Sequence, residues 1–110
     1  MTVLRHVRKV GHSYSVFIPK ILSDILDLKS GTTMYSYLDG NKVVYTKNFR
    51  EGARKVRVRV QSRYKDTEYY AITIPIKFVQ KLGIKDGDVA TIEPLEDGFS
   101  VSKFIVDEDS

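Results

Sequence analysis

Basic side chains recur along two stretches of the sequence, and their chemistry is that of phosphate binding. The residues that we expect to contact a polyanion are Arg5, Arg8, Lys9, His12, Arg57, Arg59, Arg63 and Lys65. Strict alternation over residues 54–63 predicts a strand with its valines inward and its arginines outward. Cations on a two-stranded ribbon reach phosphates, and a ribbon fits the major groove. Protection of an exposed strand edge is the alternative role for the second group of arginines.

The distribution of charge supports a polyanionic partner for the first part of the chain. Residues 1–65 hold 14 Lys and Arg against 4 Asp and Glu, whereas residues 66–110 hold 4 against 10. The net charge of the 110 residues is +4. Such asymmetry is typical of proteins that meet nucleic acid, although an ordinary solvated surface also produces it.

Other site chemistries find no support in the sequence. His6 and His12 form no i, i+4 pair on a helix, and no acidic cluster lies beside them, so no metal site is expected. The segment 85–88 lacks the later glutamate of a calcium loop and is expected to be a turn. The absence of cysteine excludes disulfides and thiolate ligands. Because no catalytic arrangement emerges either, we expect a protein that is not an enzyme and carries no cofactor.

The elements that must position these cations are written twice in the chain. Ile18-Pro19 recurs as Ile74-Pro75, and the segment 28–31 recurs as 84–87, both at a spacing of 56 residues. Two matches at one spacing indicate an internal duplication. Each unit is predicted to contain a strand, a turn, a strand, a short helix opened by its proline, and a further hairpin.

The predicted hairpins of the two units differ in length. The first joins a strand over residues 2–10 to one over residues 14–18, with a turn at 11–13. Nine positions separate Val10 from Pro19, but fifteen separate Val60 from Pro75. The second hairpin is therefore expected to be about six residues longer, with its turn within 64–68.

The order of these motifs resembles the swapped-hairpin AbrB/MazE/SpoVT-like DNA-binding domains. That family has a basic pair, a polar turn, an Ile-Pro-Lys helix start, a Leu-Gly-Leu helix end and an acid-Gly turn. The segments that carry the resemblance are 7–13, 16–20, 28–31 and 40–44. The match covers about residues 3–47, and residues 56–104 look like a more divergent repeat.

The resemblance implies an interleaved β-barrel in which two repeats exchange hairpins. Because both repeats lie in one chain, it implies an intrachain pseudo-dimer of mainly β class with two short helices. The expected parts are a first repeat at 1–47, a linker at 48–54, a second repeat at 55–106 and an acidic tail at 107–110. Members of the family regulate transcription or act as autorepressing antitoxins, and they use no metal or cofactor.

Carried over by position, the resemblance gives Arg8 and Lys9 as the basic pair and His12 in place of the turn's usual asparagine. AbrB-like members have further arginines before the Ile-Pro strand and on the helix. Those positions hold Ser15, Ser23, Asp24, Ala71, Val79 and Gln80 in the two repeats. The contact surface is therefore expected to depend on the eight residues named first.

Together these observations predict a cytoplasmic, nucleoid-associated transcriptional regulator that binds double-stranded DNA. We expect a monomeric pseudo-dimer or a homodimer of it, without a membrane span, because no run approaches ~20 apolar residues. Two alternatives stay open. One is an antitoxin-like or other protein-interaction module, and the other is a sequence-nonspecific, chromatin-like DNA-binding protein.

Overall fold

The computed structural model describes residues 1–105, and about half of them, 52%, lie in strands. The strands are β1 (Val3–His6), β2 (Arg8–Val10), β3 (Ser13–Phe17), β4 (Thr33–Asp39), β5 (Lys42–Thr46), β6 (Arg54–Arg57), β7 (Arg59–Tyr64), β8 (Thr67–Ile74), β9 (Val89–Leu95) and β10 (Gly98–Lys103). The helices are α1 (Lys20–Ile25) and α2 (Ile76–Leu82). The predicted class, mainly β with two short helices, is confirmed.

The two helices begin in the same way because each follows a proline. Pro19 and Pro75 have φ values of −53° and −54° and act as N-caps, so each lies one residue before the first helical residue rather than at the first helical position that the sequence predicts. The helix ends also match, since Leu28 N donates to Ser23 O at 2.8 Å and Ile84 N donates to Val79 O at 3.0 Å. These bonds recur at the 56-residue spacing that the sequence displays.

The strands form two sheets whose orders mirror the duplication. The six-stranded sheet has the order β1-β9-β10-β5-β4-β6 and curls into a half-barrel, and the other sheet has the order β2-β3-β8-β7. Each strand of the first half has a counterpart five numbers later, so that β1 corresponds to β6 and β5 to β10. If each order is read backwards and every strand is replaced by its counterpart, the same order results. As a consequence, β1 pairs with β9 of the second half and β6 pairs with β4 of the first half.

The chain crosses between the two sheets at Val7 and Val58. Both valines are only 1% exposed and pack in the core. Val7 N donates to Asp88 O at 2.7 Å, and Val58 N donates to Thr32 O at 2.9 Å. The predicted continuous strands over residues 2–10 and 54–63 are therefore wrong in one respect: each is two strands that belong to different sheets.

The core lies between the sheets, and a hydrogen bond from one of its side chains links them. Tyr45, on β5, is fully buried and stacks on Phe99 with 5.0 Å between the ring centroids. Its hydroxyl donates to Thr73 O on β8 at 3.0 Å, which links the six-stranded sheet to the four-stranded sheet. Burial raises the pKa of this hydroxyl.

Between the halves, residues 47–53 lie outside any strand, and Arg54, placed in the predicted linker, is the first residue of β6. Lys47 Nζ donates to Leu26 O at 2.7 Å, so this segment is tied to the end of α1. The predicted acidic tail at 107–110, like residue 106, falls outside the described residues. Within residues 1–105, neither helix has the length and apolar character needed to cross a membrane.

Candidate nucleic-acid interface

One side of the four-stranded sheet faces away from the core, and we call it the outer face. Across the sheet, Arg8 pairs with Ser15 and Ser15 pairs with Thr73. Residues paired directly across antiparallel strands lie on the same face. By this register the outer face includes Arg8, Ser15, Phe17, Arg59, Ser62, Tyr69, Ala71 and Thr73. The intervening residues Val16, Ile72 and Ile74 are buried in the core.

Arg8 and Arg59 occupy the two edges of the outer face. They follow Val7 and Val58, the two crossing points, and so hold equivalent places in the two halves. Arg8 is exposed, and Arg59 donates from Nη1 to Thr73 Oγ1 at 2.9 Å. Three inter-strand spacings separate β2 from β7, which corresponds to ~14 Å between the edges.

A cavity of about 360 Å³ opens beside the outer face and adds cations from other elements. Its lining includes Arg5 of β1 and Lys20 of α1 together with Phe17 and Tyr69. Lys20 also pairs with Asp24 at 2.9 Å, and this hydrogen bond raises the pKa of Lys20. Arg5 is therefore placed with Arg8 and Arg59 on one side of the protein, as the sequence predicts for a shared surface.

A smaller hollow near Arg8 is lined by His6, Gln61 and the buried Ser15 and Ala71. Within residues 1–105, neither this hollow nor the larger cavity has an acidic side chain in its lining. The outer face is thus bordered by arginine and lysine, and of these Lys20 is paired with a carboxylate, that of Asp24.

Arg63 does not lie on the outer face, because a bulge interrupts β7. The register passes from Val60 opposite Tyr70 to Ser62 opposite Tyr69, which leaves Gln61 as the extra residue. An extra residue reverses the side on which the following residues lie. The prediction that Arg63 faces the same way as Arg59 is therefore wrong.

Arg63 instead pairs with an acid on the other strand of the hairpin, β8. Its Nε donates to Glu68 Oε2 at 2.7 Å, and Tyr70 Oη donates to Glu68 Oε1 at 3.1 Å. The hydrogen bond from Arg63, followed by that from Tyr70, lowers the pKa of Glu68. Arg63 is held by this carboxylate, whereas no carboxylate among residues 1–105 pairs with Arg8.

Lys9 also points away from the outer face. It pairs with Tyr14, whose side is that of the core residues Val16 and Ile18. At this exposed edge, Lys9 Nζ lies 5.7 Å from the Tyr14 ring centroid, and Lys9 N donates to Asp86 Oδ1 at 2.9 Å. Lys9 is exposed at the sheet edge next to Arg8 but projects to the other side.

His12 and Lys65 lie at the tips of the two hairpins, and these tips are at opposite ends of the sheet because β3 and β8 are antiparallel. Lys65 has a φ of 57°, and its Nζ lies 5.6 Å from the Tyr64 ring centroid. Seventeen positions separate Val58 from Pro75, and twelve separate Val7 from Pro19. The second hairpin is therefore five residues longer, one fewer than the sequence spacing suggested.

Arg57 belongs to a different surface. It ends β6 at the edge of the six-stranded sheet and pairs with Thr33 of β4. Its equivalent in the first half is His6, whose Nδ1 lies 3.2 Å from Gly87 O. The eight predicted residues thus separate into a group at the outer face (Arg5, Arg8 and Arg59), two hairpin tips (His12 and Lys65) and three that project elsewhere (Lys9, Arg57 and Arg63).

Sequence reasoning missed two polar residues at this surface. Lys20 directly follows the Ile-Pro pair, where the family motif carries a lysine, so that motif contained a signal for it. Gln61 is outward by alternation, but it carries no charge and was therefore not among the expected contact residues. Within residues 1–105, no cluster of His, Asp and Glu is arranged to hold a metal ion.

Comparisons with protein-family models, with curated proteins and with solved structures found no match to this chain.

Proposed function

We propose that this chain is a DNA-binding transcriptional regulator that contacts duplex DNA through its basic β-hairpins. The observation that carries the proposal is the placement of Arg8 and Arg59 at the two edges of one sheet face. Phosphate contacts made by such cations supply a large share of protein–DNA affinity.

The dimensions of the outer face support duplex DNA as the ligand. This face is four strands wide, and the span between its edges is close to the ~12 Å width of the major groove. The flanking arginines, ~14 Å apart by strand spacing, then lie near the phosphates that border the groove. Arg5 and Lys20 extend the cationic surface along one side.

We expect the uncharged polar side chains of this surface to recognise the DNA bases. Gln61 is exposed beside Arg8, and glutamine makes paired hydrogen bonds with adenine. His12 and Lys65 stand on hairpins of unequal length, so the two ends of the bound site would meet different side chains. We therefore expect a recognition sequence that is less symmetric than one bound by a homodimer.

We further propose that the architecture is the swapped-hairpin AbrB-like barrel, formed by two repeats within one chain. The reversible strand orders support this proposal, as does the reciprocal pairing of β1 with β9 and β6 with β4. A chain that satisfies these pairings by itself should be monomeric. Light scattering should give a mass near 12.6 kDa over a wide range of concentration. An obligate dimer would contradict the intrachain arrangement.

Duplex binding across a series of salt concentrations tests the function. We expect Arg8→Gln/Arg59→Gln to lower the magnitude of the slope of log K against log[salt] by ~1.8, since each phosphate contact contributes ~0.9. Fluorescence anisotropy with a labelled pool of random-sequence duplexes measures this slope without knowledge of the operator.

The matched control is Lys29→Gln/Lys42→Gln, which removes the same charge at two lysines that pair with Asp27 and Glu93. It should leave the slope nearly unchanged. Equal slopes for the wild type and Arg8→Gln/Arg59→Gln would refute the outer face as the contact surface. Selection from the random pool should enrich a sequence, and a failure to enrich would favour a nonspecific, chromatin-like protein.

One observation favours the second candidate, a protein-interaction module. Ile21 and Ile25 lie one turn apart on α1 and are 51% and 70% exposed. Two exposed isoleucines on one helix face provide apolar area of the kind used in protein contacts. Ile21→Ser/Ile25→Ser should leave DNA binding intact under the primary proposal.

A further inference from the structure

A second cation-rich surface lies away from the outer face, in a cleft that we call the basic cleft. It is formed by β4, the start of β6 and α2, and has a volume of about 300 Å³. Arg54, Lys77 and Lys81 line it together with the half-buried rings of Tyr37 and Phe78. Its lining within residues 1–105 contains no acidic side chain.

The cations of the basic cleft are not neutralised by neighbours in the described part of the chain. The ion pairs formed among residues 1–105 involve other lysines and arginines. Lys77 and Lys81 are four residues apart on α2, so their like charges face each other along the helix. Like charges at this spacing destabilise a helix. The two lysines therefore destabilise α2, and no carboxylate among residues 1–105 forms an ion pair with either of them.

An additional cation borders the same cleft. The guanidinium carbon of Arg50 lies 3.7 Å from the centroid of the Tyr37 ring. This contact covers part of the tyrosine and holds its ring at the side of the cleft, where Arg54 is also found. A ring in this position offers a stacking surface beside the positive charges.

The other half of the molecule shows that the fold does not require these residues. At the 56-residue spacing, Lys77 and Lys81 correspond to Ile21 and Ile25 of α1. Tyr37 corresponds in the same way to Glu93. The same structural positions thus hold two cations and an aromatic ring in one half, but two isoleucines and an acid in the other.

The edge strands of the two halves also differ at this point. Arg54 of β6 pairs with Ser36 of β4, and the equivalent residue of β1, Val3, pairs with Ile92 of β9. Equivalent backbone therefore tolerates valine where the basic cleft has arginine. The concentration of cations and rings in only one half points to a ligand rather than to folding.

We propose that the basic cleft binds a nucleotide, either free or as one unit of a nucleic-acid strand. Arg54, Lys77 and Lys81 hold its phosphate, and Tyr37 and Phe78 contact its planar base. The volume lies at the lower end of the range for small-molecule sites, ~300–1,000 Å³. This proposal does not depend on duplex binding at the outer face, because it uses none of the same residues.

Isothermal titration calorimetry with three probes tests the proposal: adenosine monophosphate, inorganic phosphate and single-stranded hexathymidylate. We expect adenosine monophosphate, hexathymidylate or both to bind more tightly than inorganic phosphate. Binding of adenosine monophosphate alone identifies a free nucleotide as the ligand class, and binding of hexathymidylate alone identifies a strand. Lys77→Gln/Lys81→Gln should weaken this binding at least ~10-fold, which is the factor expected for the loss of one charge-assisted contact.

Two controls separate this site from the outer face and from general charge. Lys29→Gln/Lys42→Gln makes the same change in net charge and should bind like the wild type. Arg8→Gln/Arg59→Gln should also retain nucleotide binding, even where it loses duplex affinity. The proposal is overturned if neither nucleotide probe binds, if Lys77→Gln/Lys81→Gln binds as well as the wild type, or if inorganic phosphate binds as tightly as the best nucleotide probe. Circular dichroism establishes that each variant is folded.

Discussion

Replacing Tyr45 with phenylalanine tests how much the buried hydroxyl contributes to stability. Tyr45 is fully buried, and its hydroxyl donates to Thr73 O at 3.0 Å. Thr73 Oγ1 in turn accepts from Arg59. Tyr45→Phe keeps the ring on Phe99 and removes only the hydroxyl, so the loss of one buried hydrogen bond should lower the free energy of unfolding by ~1–2 kcal/mol at neutral pH.

The same hydroxyl makes stability depend on alkaline pH. Its pKa in the folded state is raised by burial above the ordinary value of 10.0. The unfolded chain ionises Tyr45 near pH 10, but the folded chain does not. The contribution of Tyr45 is therefore complete below that pH and is lost as the pH rises above it. At about one unit above the unfolded pKa the loss is ~1.4 kcal/mol.

The assay is urea unfolding of the wild type and of Tyr45→Phe at about pH 9 and about pH 11. Other groups titrate in both proteins, so the difference between the two unfolding free energies isolates Tyr45. We expect the advantage of the wild type to shrink by ~1.4 kcal/mol, which brings the two proteins close to equal stability. An advantage that stays constant over this interval would refute the conclusion that the buried hydroxyl resists ionisation.

Two further changes have effects that follow from local geometry. Gly98→Ala places a Cβ atom 1.7 Å from Tyr45 O, and the forced strand movement should cost ~1–3 kcal/mol in urea unfolding. Ser102→Ala, in the same strand, should stay within ~0.5 kcal/mol, and equal losses would contradict the steric explanation. Lys77 lies in the first turn of α2 and Lys81 in the last. Lys77→Glu replaces the repulsion between them with an attraction and places an acid near the N-terminus of the helix, which should raise the free energy of unfolding by ~1 kcal/mol. Thermal unfolding measures this gain, Lys77→Gln should give about half of it, and a decrease would show that the two lysines do not repel.

The class of fold and the positions of the helices were predictable because they depend on local chemistry. A proline begins each helix, at Pro19 and Pro75, and apolar residues at helical spacing follow. The crossing of the chain from one sheet to the other at Val7 and Val58 was not predictable in the same way. Alternation continues through both residues, and it carries no information about which strand lies alongside.

The candidate site was predictable in part for a similar reason. Arg59 follows from alternation and Arg8 from the basic pair of the family motif, and both lie on the outer face. The bulge at Gln61 has no glycine or proline to announce it, so the reversal of Arg63 was invisible in the pattern. The basic cleft draws on α2 and on strands far apart in sequence, and only the packing of those elements brings its cations together.

The pairing of β1 with β9 also constrains how the chain is made. Val3 finds its partner only when Ile92 has been synthesised, a delay of roughly 5–20 s at ~5–20 residues per second. During this interval the first strand is an unpaired edge on a growing chain. Arg5 places a positive charge on this strand, and like charges oppose association between exposed strands of neighbouring nascent chains. We therefore expect Arg5 to oppose association between unfinished chains until β9 pairs with β1.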